Sequence, residues 1–315
     1  MKKSSTFFLK LIVGLSLIFF IFSRIEWNEF INTIKRINLV YIYISMILFF
    51  FPGVWLSVCK WKKLMLVHNI NLPFKQLYLY YLIGIFFNNF LPSTVGGDVS
   101  RVVYLKHATN KTAEITASII MERLTGLVAL IFLFLFSAIF DISIIFGHPI
   151  VLYIIILIFL SITAIYLLLR NDVLEKHVCK FRFLIPLWEK VNEIFELVCN
   201  YWNYKKVLLY TIIISIIFVM FGALATYLFF LSIGIKAPIF DLILIYSAVQ
   251  LIGMLPISIN SLGLSEGASI ILYGLIGISS VDALTVALMA RFSLMLVSLS
   301  GGVIFIFRNI FIEQS

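Results

Sequence analysis

Apolar runs of near-membrane length alternate with short polar stretches along the whole chain, and that pattern predicts membrane-spanning helices rather than the half-buried faces of a soluble fold. Runs read as spans fall at residues 7–22, 38–58, 116–140, 150–169, 207–232 and 282–307, the first of them short. The first follows Lys2 and Lys3 and ends at Phe22-Ser23-Arg24 with no small-residue cleavage site, so it reads as a retained span with Lys10 snorkelling. Of two other runs, 78–91 is too short to span comfortably, because about 20 residues are needed for a core about 30 Å thick, and 241–256 leads up to a break in the same way. Between the runs lie a polar stretch at 24–36, a basic loop at 60–75, a tight turn at 141–149 and one long polar segment at 170–206. Within that segment Val191, Ile194, Phe195 and Val198 recur at helical spacing opposite Asn192, Glu193 and Glu196, which predicts an amphipathic helix lying on the bundle or the membrane surface.

Each short run ends in a helix breaker. The first leads into Leu91, Pro92, Ser93, Thr94, Val95, Gly96, Gly97 and Asp98, and the second into Leu255, Pro256, Ile257, Ser258, Ile259, Asn260, Ser261, Leu262, Gly263, Leu264, Ser265 and Glu266. Proline removes a donor and glycine opens the backbone, so a helix should stop at each Leu-Pro and another start near each acid. Broken backbone at membrane depth is tolerated only inside protein or against a wet cavity. An arginine follows each acid by 25 residues, from Asp98 to Arg123 and from Glu266 to Arg291, and this recurrence in register points to an internal duplication. The repeats are expected at about 1–140 and 149–308 of a single membrane domain.

Composition narrows the class further. The 315 residues are 62% hydrophobic and 12% charged, which excludes a soluble globular protein or an ordinary nucleic-acid binder. The net charge of +9 follows from basic residues left on loops. With the amino terminus inside, eighteen of the 24 lysines and arginines fall on cytoplasmic segments, with both termini cytoplasmic at a plasma membrane. The two halves then run in opposite directions. The expected fold is an all-α polytopic membrane protein with inverted-topology repeats and two broken or re-entrant helical hairpins. Cys59, Cys179 and Cys199 show no paired spacing and the four histidines no ligand pattern, so neither disulfide, metal nor other cofactor is expected.

Asp98, Arg101, Glu122, Arg123, Glu266 and Arg291 are the charges that require explanation. Insertion of such a group at mid-membrane costs on the order of 2.5–3.5 kcal/mol, so these side chains should face the interior and pair. Two structural ion pairs, Asp98 with Arg123 and Glu266 with Arg291, would satisfy that requirement alone, and each acid also suits the first turn of a helix. The functional reading adds that broken helix ends present unpaired N–H groups and positive dipole ends, and that arginine forks match phosphate. Together these would make a pocket for an anionic headgroup. Asn88, Asn89, Gln250 and Asn260 supply uncharged lining or satisfy broken backbone, while Trp55, Trp61, Tyr80 and Tyr81 are expected to be interface or packing aromatics.

The run from Leu91 to Arg101, the Glu122-Arg123 pair, and Pro256 through Gly263 to Glu266 with Arg291 resemble the lysylphosphatidylglycerol synthase transmembrane-region family, also described as flippase-like. In multiple peptide resistance factors this region accompanies a cytoplasmic aminoacyltransferase domain. Ser315 lies eight residues past the last expected span, so that domain, and with it lysyl transfer, is not expected here. The resemblance implies translocation of a membrane lipid, an anionic phospholipid or a polyprenyl-phosphate-linked sugar, since stand-alone members are associated with lipid-linked sugars and hopanoids. Two other classes stay open: an integral-membrane glycosyltransferase, disfavoured by short outer loops with no paired carboxylates, and an accessory subunit docking an enzyme through 170–206.

Overall fold

The computed structural model describes residues 2–90, 96–140, 185–255 and 257–307, with isolated positions 147, 149 and 156. Pro92 and Pro256, the expected span at 150–169, the turn at 141–146 and the first part of the polar segment lie outside the described residues. Within them the chain is helical, in the order α1 (Lys2–Ser23), α2 (Trp27–Lys35), α3 (Leu39–Val67), α4 (Phe74–Phe90), α5 (Gly96–Thr109), α6 (Thr112–Phe140), α7 (Ile185–Asn200), α8 (Lys205–Ser232), α9 (Ile239–Gly253), α10 (Leu264–Gly274) and α11 (Ser280–Ile306). No strand occurs among the described residues.

Helices α3, α6, α8 and α11 are each long and apolar enough to cross a membrane, and α1 joins them if it and α2 count as one broken span bent by 88°. Trp27 stacks on Phe22 with 5.6 Å between ring centroids, and the Thr33 hydroxyl donates to Asp282 Oδ1 at 3.4 Å, tying α2 to the start of α11. The polar stretch 24–36 is thus itself largely an amphipathic helix. Side-chain caps mark two starts: Asn38 accepts from the Val40 N–H at 3.0 Å and Ser279 from the Asp282 N–H at 3.1 Å.

One expectation needs correcting. The basic loop at 60–75 begins only after Val67, because α3 continues as helix through Lys60, Lys62 and Lys63. Lys60 and Trp61 are both buried, so the first lysine of the supposed loop is inside the bundle. Burial is affordable there because its ammonium has two acceptors, described below.

The short runs fold back on themselves. In the first hairpin, Tyr80 stacks on Tyr104 at 5.5 Å, Gly84 lies against Arg101 and Gly97, and Asn88 meets Gly97, so partners recede along α5 as α4 advances. In the second, Tyr246 and Tyr273 sit on one wall, and Gly253 lies against Ser265 and Ser261 nearer the break. With 17 and 15 residues, α4 and α9 are about 25 and 22 Å long, short of a full crossing.

Two consecutive helices in each half share one spacing. Helices α5 and α10 begin at 96 and 264, and α6 and α11 at 112 and 280, a shift of 168 in both pairs that equals the Asp98-to-Glu266 and Arg123-to-Arg291 shift. Packing across the halves is reciprocal: α4 lies on α11, α9 on α6, and α3 on α8. The α3–α8 pair runs antiparallel, with Asn38 at Ser232, Ser45 at Ala225, Gly53 at Phe218 and Lys60 at Ser215. One buried cluster centres on Phe134, Phe230, Leu242 and Ile245, the other on Trp61, Leu77, Ile83 and Leu105.

Candidate functional site

The first broken motif carries a buried charge network. Asp98, in the first turn of α5, receives Arg101 Nη2 at 2.6 Å on one oxygen and Arg123 Nε at 2.6 Å on the other. Arg101 Nη1 continues to Glu122 Oε2 at 2.8 Å, and the Tyr81 hydroxyl donates to Glu122 Oε1 at 2.9 Å. The guanidinium of Arg101 lies 4.7 Å from the Trp61 ring and 4.8 Å from that of Tyr81, so cation–π attraction adds to the ion pairs. Lys60 Nζ donates to the Glu122 carbonyl and to Ser215 Oγ, each at 3.1 Å. Helices α3, α4, α5, α6 and α8 therefore all contribute to one polar cluster.

Exposure divides the cluster. The Asp98, Arg101 and Glu122 side chains are 7–8% exposed, whereas that of Arg123 is 47% exposed. Arg101 lies between Asp98 and two further basic residues, Lys106 on α5 and Lys111 just past its end. Helix α5 turns it inwards, one helical turn beyond Asp98, where opposite charges on both sides make burial tolerable.

The second motif is simpler and more open. Glu266 caps α10, one carboxylate oxygen accepting from the Gly263 N–H at 2.8 Å while the other pairs with Arg291 Nε. Arg291 also makes long contacts of 3.4 Å from Nη1 and Nη2 to the carbonyls of Asn260 and Ser261. Those two residues have positive φ of 48° and 49°, which turns their carbonyls towards the arginine. The three contacts engage three of the five guanidinium N–H donors.

Arg291 and Glu266 line a cavity of about 360 Å³ enclosed by α3, α8, α9, α10 and α11. Hydroxyls from Ser45, Thr226, Ser265 and Ser269 face it alongside apolar walls from Phe229 and Val249. Neither Asp98, Arg101, Glu122 nor Arg123 lines this cavity, so the six expected site residues form two centres rather than one pocket. The centres touch where the breaks meet: Asn260 Nδ2 donates to Asn89 Oδ1 at 3.2 Å. Of the other expected polar groups, Gln250 lines the cavity and Asn88 Oδ1 accepts from the Gly97 N–H at 2.8 Å, at the restart of the first hairpin.

Sequence reasoning passed over Lys60, Tyr81 and Ser215 as members of the site. Lysine in a mixed run is most often loop, and the signal that could have found Lys60 was the continuous helical apolar run either side of it. The expected pairings of Asp98 with Arg123 and Glu266 with Arg291 are both present, but Arg101 shares Asp98.

Fold and site together define an α-helical integral membrane protein with charged, broken-helix centres inside the bundle. The chain matches the family described as the lysylphosphatidylglycerol synthase TM region over residues 7–301, and it belongs to that family. It is also similar to two archaeal proteins named only as UPF0104 membrane proteins. PH1989 of Pyrococcus horikoshii is 24% identical, covering 94% of this chain and 96% of its own length. MJ1595 of Methanocaldococcus jannaschii is 25% identical, covering 89% of this chain and 88% of its own length. No solved structure matches the chain.

Proposed function

We propose that the protein moves an anionic lipid, either a phospholipid or a polyprenyl-phosphate-linked sugar, between the leaflets of the plasma membrane, with the headgroup held in the α8–α11 cavity. The observation that carries this reading is Arg291 on the wall of a hydroxyl-rich cavity, held by Glu266 yet with N–H donors left over. A phosphate entering the cavity competes with Glu266 for the guanidinium, which favours capture without irreversible retention. Ser and Thr hydroxyls suit a glycerol or sugar headgroup, and the volume falls at the lower end of small-ligand sites. Arg123, half exposed and held by Asp98, offers a second phosphate contact outside the cavity.

Antiparallel packing of α3 and α8, which begin 166 residues apart at Leu39 and Lys205, supports inverted-topology repeats, a plan suited to alternating access. With the amino terminus cytoplasmic, the charge asymmetry is kept even after Lys60 moves into the bundle.

Native mass spectrometry of the purified chain tests the reading. Wild type should retain one anionic lipid class, Arg291→Ala should lose it, and Arg123→Ala should retain it more weakly than wild type. Identical, unselective lipid in all three folded proteins would overturn the headgroup site and favour an accessory role.

A further inference from the structure

The 168-residue shift that relates α5 and α6 to α10 and α11 also pairs part of the cavity wall with side chains in the first half, and at three positions the two differ in bulk. Cavity-lining Ser269 corresponds to Arg101, Ala290 to Glu122 and Ala287 to Ile119. At these three positions the small residue on the cavity wall is matched by a larger one, and the larger ones are packed together: Arg101 bridges Asp98 and Glu122, Tyr81 donates to Glu122, and Ile119 is buried beside them on α6. The charges that persist in both halves, Asp98 with Arg123 and Glu266 with Arg291, are those at the broken ends. The charges present in one half only, Arg101 and Glu122, occupy the positions whose counterparts border empty space.

We propose that Arg101 and Glu122 form a built-in occupant that seals the first of two equivalent sites, so that only the second-half cavity encloses a headgroup. The assignment of a headgroup to that cavity rests on the function proposed above; the sealing itself does not. As an ion pair between two further charges, the occupant fills the volume without leaving any charge unmatched, which an inserted single arginine would not do. A duplicated transporter core would otherwise offer two competing cavities facing opposite leaflets. Sealing one gives each molecule a single loaded site.

Transplanting the pair tests this. In a background with the native cysteines replaced by serine, Ala287→Cys places a reporter thiol on the cavity wall. A small, uncharged, membrane-permeant maleimide should label it in folded protein, and Ser269→Arg with Ala290→Glu should slow labelling at least tenfold. Equal labelling rates in the two proteins would overturn the proposal, whatever the ligand. The reciprocal variant, Arg101→Ser with Glu122→Ala, should make a thiol at Ile119→Cys reactive where the parent is inert; a thiol still inert in that folded double variant would also overturn it.

Lipid binding then separates the two readings. If wild type binds short-chain phosphatidylglycerol and the Ser269→Arg/Ala290→Glu protein does not, both stand. Slowed labelling in a system where wild type itself ignores that lipid and a polyprenyl phosphate would leave the sealing intact and remove the headgroup assignment.

Discussion

Replacing Arg101 by methionine keeps most of its volume while withdrawing the cation from between two buried carboxylates. Asp98 still has Arg123, but Glu122 keeps only the Tyr81 hydroxyl on its side chain. Leaving a buried charge without its partner costs about 3–5 kcal/mol, and loss of the contacts to Trp61 and Tyr81 adds roughly 1 kcal/mol. Lys60, bonded to the Glu122 carbonyl, moves the total towards the lower end. Glu122→Gln alone should cost about 1.5–3 kcal/mol, since Arg101 retains Asp98 and a neutral acceptor. The double variant removes the orphaned carboxylate and should therefore be about 2 kcal/mol more stable than Arg101→Met alone. Denaturant unfolding in micelles, followed by tryptophan fluorescence, measures all four corners of the cycle, and Trp61 against the guanidinium provides a local reporter. Losses that simply add, with the double variant the least stable, would refute the account of Arg101 and Glu122 as a mutually dependent pair.

Other outcomes follow from separate parts of the fold. A Cβ on Gly97 would lie 2.0 Å from the Gly84 carbonyl oxygen, so Gly97→Ala must push the hairpin arms apart and should cost about 1–3 kcal/mol in the same unfolding assay. His68, at the end of α3, has its pKa lowered chiefly by burial, against the attraction of Glu114, and its Nε2 has no hydrogen-bond partner among the described residues. Its depressed folded-state pKa means stability is full above the ordinary histidine value of about 6.5 and falls as pH drops through the folded value; His68→Gln should flatten that acid limb of a pH–stability profile. Thiols introduced at Thr109 and Ser279 should be labelled from the cytoplasmic and outer faces respectively, and the reverse pair of results would exclude the proposed orientation.

The parts of this architecture that were legible in the sequence are those governed by local rules. A glycine pair in the first motif, a single glycine in the second and the short apolar runs announced the hairpins, and the 25-residue spacing from acid to arginine announced both ion pairs. What escaped was set by tertiary contact. Arg101 reads as a charge that must face inwards and pair, but its partners are set only by the arrival of Glu122 from α6 and Trp61 from α3. Lys60 reads as loop because its acceptors, the Glu122 carbonyl and Ser215, come from helices far away in sequence. The separation of six charges into a filled centre and a hollow one depends on side-chain volume at equivalent positions, which charge patterning does not register.

The amino-terminal helix lies against the second break: a Cβ at Gly14 would sit 3.2 Å from the Leu262 carbonyl oxygen, and Gly263, with φ of +76°, fits beneath Leu17. Helix α1 thus covers irregular backbone synthesised about 250 residues later. During insertion α1 has to wait in the bilayer with that face unoccupied, and until it docks, the bent segment around Asn260 and Ser261 is open to lipid. Assembly of this chain therefore includes docking α1 on a break formed far downstream, and a fusion or truncation that delays α1 should strand an inserted protein short of that step.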